Sequence, residues 1–298
     1  MYLGEQIIEV DDVGICVESM GDPADPAIVL LHGAGESMLT WDDAFVGRLV
    51  AGDRRVIRYD SRDAGRSTVY PVGAPAYGLR DLVSDLAALI EALGLGRVHL
   101  VGMSQGAAVA QLAALEHPDL VASLSLASGT PGGPGHEQVD LPGMSPGLEA
   151  YFGDEPVAPD WSDRDAVVEY LIAVTRPFAA ATRPFDIRAQ RRRARRVVDR
   201  AIDIAAQLSN PFLIDAGDPW RERLRQIRIP TLVLHGTEDP FLPIEHGRAL
   251  AAEIADARLV PLEGTGHEVF PLHTWDVVVP EVLAHTSVRR VAGQRPVT

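Results

Sequence analysis

The sequence has a single cysteine, Cys16, which rules out an internal disulfide and a thiolate metal cluster. Its β-branched neighbours Ile15 and Val17 point instead to ordinary strand packing. No apolar run approaches the length of a bilayer span, and Met1 to Glu9 lack a basic region followed by an apolar stretch. The expectation is a cytoplasmic protein without a membrane partner. Positive charge is scarce: 27 Lys and Arg stand against 42 Asp and Glu, for a formal net charge of −15. That balance favours solubility and argues against nucleic acid as the partner. The first strand is not followed by a glycine-rich phosphate loop, so a dinucleotide enzyme is disfavoured. The nine histidines show no metal spacing, since His235 and His246 are not set with carboxylates as a helix-borne zinc pair would be. No metal and no other cofactor is expected.

What is present suits a large packed domain: 298 residues, 46% of them apolar, can bury a full core and carry an insertion. Strands are expected near Gln6–Val10 and Gly14–Ser19, then after the turn at 21–26 over Ala27–Leu31, Arg55–Tyr59, Val98–Gly102, Leu120–Ala127, Thr231–Leu234 and Arg258–Pro261. Helical patterns fall between most of them, at Trp41–Val50, Leu79–Leu93, Gly106–Glu116 and Ile244–Ile254. Strand alternating with helix implies right-handed crossovers and a mostly parallel sheet covered on both faces, here of eight strands. Reactive groups then gather at the carboxyl ends of the strands. The alternation breaks from about 131 to 225, where a linker (Pro131-Gly132-Gly133-Pro134-Gly135) leads into a largely helical, arginine-rich stretch. The expected organisation is a core of 1–130 and 226–298 with a helical cap inserted at 131–225. The polar tail from about Ser287 has no periodicity and is expected to be mobile.

The strongest chemical signal is Gly102-Met103-Ser104-Gln105-Gly106, set between a strand and a helix. A sharp turn there strains the serine backbone, and only small flanking residues let neighbouring chain pass. Gly-x-Ser-x-Gly also occurs by chance in loops; the correct elements on both sides distinguish this instance. The helix start would offer free N–H groups to an oxyanion. A serine needs a base, and His267, in a glycine-rich turn after the last strand, has the best context; His273 is the fallback. The acid that orients the imidazole is expected at Asp239, beyond the strand Thr231–Leu234, which yields the order Ser, Asp, His. Glu238 is adjacent but would point elsewhere, and Asp-Pro is also a plain turn signal. The oxyanion donors are the N–H groups of Gln105 and, after the strand Ala27–Leu31, of Ala34 in His32-Gly33-Ala34-Gly35.

These residues resemble the α/β-hydrolase family, and within it aclacinomycin methylesterase and related actinobacterial esterases. The likeness rests on 21–27, Val56-Ile57-Arg58-Tyr59-Asp60 with Arg62-Asp63 and Gly65–Thr68, the elbow, Glu238-Asp239-Pro240 and Gly266-His267. The 131–225 stretch matches only in placement and approximate length. The resemblance implies Ser104, Asp239 and His267 as a catalytic triad, Ala34 and Gln105 as oxyanion donors, and hydrolysis of a carboxylic ester such as a polyketide methyl ester. It also implies that the Asp60–Thr68 loop braces the loops beneath the site; the loop is assigned no chemistry, and its Arg- and Asp-rich turn is expected to form local ion pairs.

Other readings remain within reach of the same residues: lactone, thioester or carbon–carbon hydrolysis, perhydrolysis, or a ligand-binding protein without turnover. Dehalogenases and epoxide hydrolases of this family carry aspartate at the elbow, where Ser104 stands. The partner is a small-molecule ester, and the chain is a monomer or homodimer. The arginines at 188–200 are expected on a solvated helix face, and Trp161, Tyr170, Phe178, Phe185, Phe212 and Trp220 mainly as cap core, with pocket walls among them as the alternative.

Overall fold

A computed structural model of the chain describes residues 2–133, 139–154 and 156–287. Pro134 and Gly135 of the expected linker, and the tail beyond Ser287, lie outside the described residues. The strands are β1 (Tyr2–Val10), β2 (Val13–Met20), β3 (Ala27–Leu31), β4 (Arg55–Tyr59), β5 (Val98–Met103), β6 (Val121–Ala127), β7 (Thr231–Gly236) and β8 (Ala257–Leu262). They form an eight-stranded sheet in the order β1-β2-β4-β3-β5-β6-β7-β8. From β4 through β8 every neighbouring pair is parallel, whereas β1 and β2 form an antiparallel hairpin that β2 joins antiparallel to β4.

The helices are α1 (Asp43–Val50), α2 (Leu79–Ala92), α3 (Gln105–Glu116), α4 (Pro146–Gly153), α5 (Arg164–Thr175), α6 (Ile187–Arg200), α7 (Ile204–Ser209), α8 (Ile244–Glu253) and α9 (Trp275–His285). Among the described residues, none is long and apolar enough to cross a membrane.

Strands buried on both faces need apolar residues at every position, and β3 and β7 are buried along their whole length. The period of two then sorts side chains between two layers. Val29 and Leu31 of β3 pack with α2 and α3 residues on one face, Ile28 and Leu30 with Phe45 and Val278 of α1 and α9 on the other. Helix α3 lies against the parallel strands and is buried nearly all round; its alanines 107, 108, 110, 113 and 114 permit that close approach. Caps end the helices locally: Asp42 and Asp186 accept N–H groups at the starts of α1 and α6.

One element runs against a local rule, and one side chain departs from its expected place. The segment Trp275–His285 is a helix despite Pro280, which ordinarily breaks one; burial of Trp275, Val278 and Val282, with the Trp275 ring tilted against Phe45 at 5.8 Å, holds it in place. Trp220 belongs to the main core rather than to the helices between β6 and β7, its indole N–H donating to Gln111.

Candidate active site

Strand β5 runs into α3 through Ser104, whose φ of 52° and ψ of −114° no regular element uses. The turn closes this tightly because a β-carbon on Gly102 would overlap the Gly106 carbonyl, and one on Gly106 the Leu31 carbonyl. Backbone bonds hold the strained residue from both sides: its N–H donates to Ala127 at 3.0 Å, and its carbonyl accepts from Ala107 at 2.9 Å. The hydroxyl is thereby presented at the carboxyl edge of the sheet, at the amino end of a helix.

The structure brings Ser104, His267 and Asp239 together. His267 Nε2 lies 3.0 Å from Ser104 Oγ, and its Nδ1 lies 2.8 Å from Asp239 Oδ2. A carboxylate only accepts, so Nδ1 carries the proton and Nε2 is left to accept from the serine hydroxyl. Asp239 Oδ1 accepts the N–H groups of Phe241 at 3.0 Å and Leu242 at 2.8 Å. Burial alone would raise the Asp239 pKa, but its pairing and hydrogen bond with His267 outweigh it and hold the carboxyl below its usual range. His235 is fully buried beside it and donates to the Leu242 carbonyl; burial holds that imidazole neutral by pushing its pKa down. His273, the fallback, bonds instead to Thr265 and the Glu263 carbonyl.

The loop after β3 passes directly over the serine: a β-carbon on Gly33 would stand 3.5 Å from that of Ser104. The Gly33 carbonyl is pinned by His32 Nδ1 at 2.8 Å and by the Glu36 N–H at 3.3 Å. His32 Nε2 accepts the Ser61 N–H, which fixes the tautomer. In a trans peptide the N–H points opposite to the carbonyl, so pinning Gly33 C=O also sets the direction of the Ala34 N–H. Neither Ala34 N–H nor Gln105 N–H has a hydrogen-bond partner among the described residues. Both are available to a ligand oxygen.

Phe241, the Glu36–Arg193 pair and the backbone tie of the His267 loop were not anticipated, whereas Phe178 stood among the aromatics considered as pocket walls. Phe241, two residues past Asp239, sits edge-on to His267 at 5.1 Å, and Phe178 lies 6.1 Å from the same ring. The only signal for Phe241 was its place just after a strand's carboxyl end. The His267 loop is also tied to the segment between β6 and β7, because His267 N–H donates to the Phe178 carbonyl at 2.8 Å. Glu36 and Arg193, paired at 2.9 Å, left no sequence signal.

The ion pairs of the Asp60–Thr68 loop are not local. Arg62 grips Asp85 of α2 with two bonds of 2.8 Å, and Asp60 takes Arg200 of α6 at 2.7 Å. Nor is the arginine face of α6 uniformly solvated: Arg193, Arg196 and Arg200 meet Glu36, Asp43 and Asp60, while Arg188, Arg192 and Arg195 are exposed. Among the described residues, no three His, Cys, Asp or Glu side chains cluster as metal ligands.

A strained serine at the end of a central parallel strand, met by an imidazole from beyond the last strand, narrows the class to one fold. The alpha/beta hydrolase fold family profile matches residues 26–274, and the chain belongs to that family. It is 30% identical to the rhodomycin D methylesterase of Streptomyces sp. (strain C5) over 305 aligned positions, covering 96% of this chain and 99% of that protein. The rhodomycin D methylesterase of Streptomyces peucetius matches at the same identity and coverage. Among solved structures, a hydrolase from Pseudomonas aeruginosa PA01 superposes with a TM-score of 0.72 at 25% identity, covering 96% of this chain and 99% of that one.

Proposed function

We propose that this protein is a serine hydrolase that cleaves a carboxylic ester through an acyl-enzyme, with residues 131–225 forming a cap over the site. The carrying observation is the unbroken relay of hydrogen bonds from Ser104 through His267 to Asp239. His267 Nε2 takes the hydroxyl proton as Ser104 Oγ attacks the ester carbonyl, and Asp239 stabilises the imidazolium that forms. The N–H groups of Ala34 and Gln105 hold the oxygen that becomes negative. Collapse expels the alcohol, which takes the proton from His267. Water, activated by the same imidazole, then releases the acid. The identity to two methylesterases over nearly the whole chain supports a methyl ester as the scissile group, and Phe241 and Phe178 beside His267 suit a polyketide-type apolar body.

The test is hydrolysis of short p-nitrophenyl esters and of an aromatic polyketide methyl ester, with fluorophosphonate labelling. The wild type should be labelled and turn over both. Ser104→Ala should lose labelling and about 10⁶-fold in kcat, and Asp239→Asn about 10⁴-fold through the wrong tautomer. Undiminished turnover by Ser104→Ala would end the proposal, and binding without turnover by the wild type would favour a receptor.

A further inference from the structure

The two oxyanion donors of this reading are not held alike. The Gln105 N–H is fixed by the first turn of α3 inside the core. Ala34 sits in a short loop between β3 and the turn at Met38–Thr40, with glycines on either side, and that loop is held in part from outside the core.

Glu36 brackets Gly33, the residue before the donor. Its backbone N–H donates to the Gly33 carbonyl, and its Oε2 accepts the Gly33 N–H at 3.2 Å. The other carboxylate oxygen, Oε1, accepts from Arg193 of α6 at 2.9 Å, and the same guanidinium donates to the Thr40 hydroxyl. Burial alone would raise the Glu36 pKa; the Arg193 charge and the Thr40 hydroxyl outweigh it and keep the carboxylate ionised. On the far side of Ala34 the Gly35 carbonyl accepts from Gln207 of α7 at 3.2 Å, while Gln207 Oε1 accepts the Gly65 N–H at 3.0 Å. The residues flanking the donor are thus secured by α6 and α7.

We propose that Arg193 and Glu36 are positioning residues: docking of α6 through this pair aims the Ala34 N–H, so the cap completes the oxyanion hole as well as covering it. This rests on the ester-hydrolase reading. Without Arg193 the Glu36 side of the clasp on Gly33 loosens and the Gly33 carbonyl is left to the His32 Nδ1 bond alone; the Gly33–Ala34 peptide then tilts about that bond and its N–H moves off the line to the oxyanion, while the serine, imidazole and substrate contacts stay in place. The loss is therefore felt in the transition state and not in ground-state binding. Arg196 docks the same helix through Asp43 at 3.0 Å without touching this loop, which provides a control for cap docking as such.

The experiment compares wild type, Arg193→Met, Glu36→Gln and Arg196→Met in the full chain. Active sites are titrated to completion with a fluorophosphonate, kcat and KM are measured on p-nitrophenyl acetate, and affinity is measured for a trifluoromethyl ketone, whose adduct carries an oxyanion. Arg193→Met should lose about tenfold or more in kcat per titrated site, with KM within about twofold. The ketone should weaken by the same factor, Glu36→Gln should fall between it and wild type, and Arg196→Met should change kcat less than about twofold. An unchanged kcat per site in Arg193→Met, a loss carried by KM or by the titratable fraction, or an equal loss in Arg196→Met overturns the coupling. A wild type that is neither labelled nor active removes the hydrolase reading, and this inference with it.

Discussion

Ser104 stands at φ 52° without the freedom of glycine, and a non-glycine residue in such a region stores on the order of 1–3 kcal/mol. The surrounding bonds and the glycines at 102 and 106 leave the chain no other path. The strain belongs to the backbone, so removing the hydroxyl does not relieve it, whereas removing the β-carbon does. In urea denaturation Ser104→Gly should therefore be more stable than Ser104→Ala by about 1 kcal/mol, after the larger unfolded-state entropy of glycine is subtracted. Equal midpoints would show that the turn is unstrained. The position was legible because a five-residue motif sat between two recognisable elements. Phe241 and Glu36 were not, because an aromatic or a carboxylate in a loop has no local pattern that says what it faces.

Helix α6 carries its arginines on more than one face, and the structure gives those faces different work. The arginines that meet the core lie at steps of three and four, at 193, 196 and 200. Their pairs are unequal: Arg196 and Asp43 are each about half exposed, with side-chain exposures of 53% and 55%, while Arg200 and Asp60 stand at 8% and 0%. An exposed pair contributes little, whereas removing one partner of a buried pair strands a charge. Arg200→Met should cost about 3 kcal/mol in unfolding free energy, and Arg196→Met less than about 1 kcal/mol. A neutral Arg200→Met would mean that water reaches Asp60. The richness in arginine was visible in the sequence, but which face docks depends on where carboxylates from distant loops arrive.

Across the molecule, buried and half-buried imidazoles set the acid response. Burial, with Arg54 and His285 nearby, lowers the His99 pKa to about 4 from 6.5, and burial also pushes His235 and His285 down. Between those values the unfolded chain binds protons that the folded chain refuses, so stability rises with pH there and is lost as pH falls from about 6.5 toward 4. Each such histidine contributes at most about 1.4 kcal/mol per pH unit. The depressed carboxyls of Asp239 and Glu36 add loss of the same sign at lower pH. Urea midpoints should accordingly drop between pH 7.5 and pH 5, and by less in His99→Gln; a flat profile in the wild type would contradict the burial of these rings in neutral form.

The alternation of strand and helix, the eight-stranded parallel-rich sheet and the serine elbow follow from the sequence alone, because apolar period and turn chemistry are written in windows of roughly ten residues. The tertiary structure decided what those windows cannot hold. It set the antiparallel hairpin at the sheet edge, the helix through Pro280, the aromatic rings beside His267, and the pairing of Arg193 with Glu36 across 157 positions of chain. Such contacts depend on which surfaces meet when the layers close, and no local pattern carries that information.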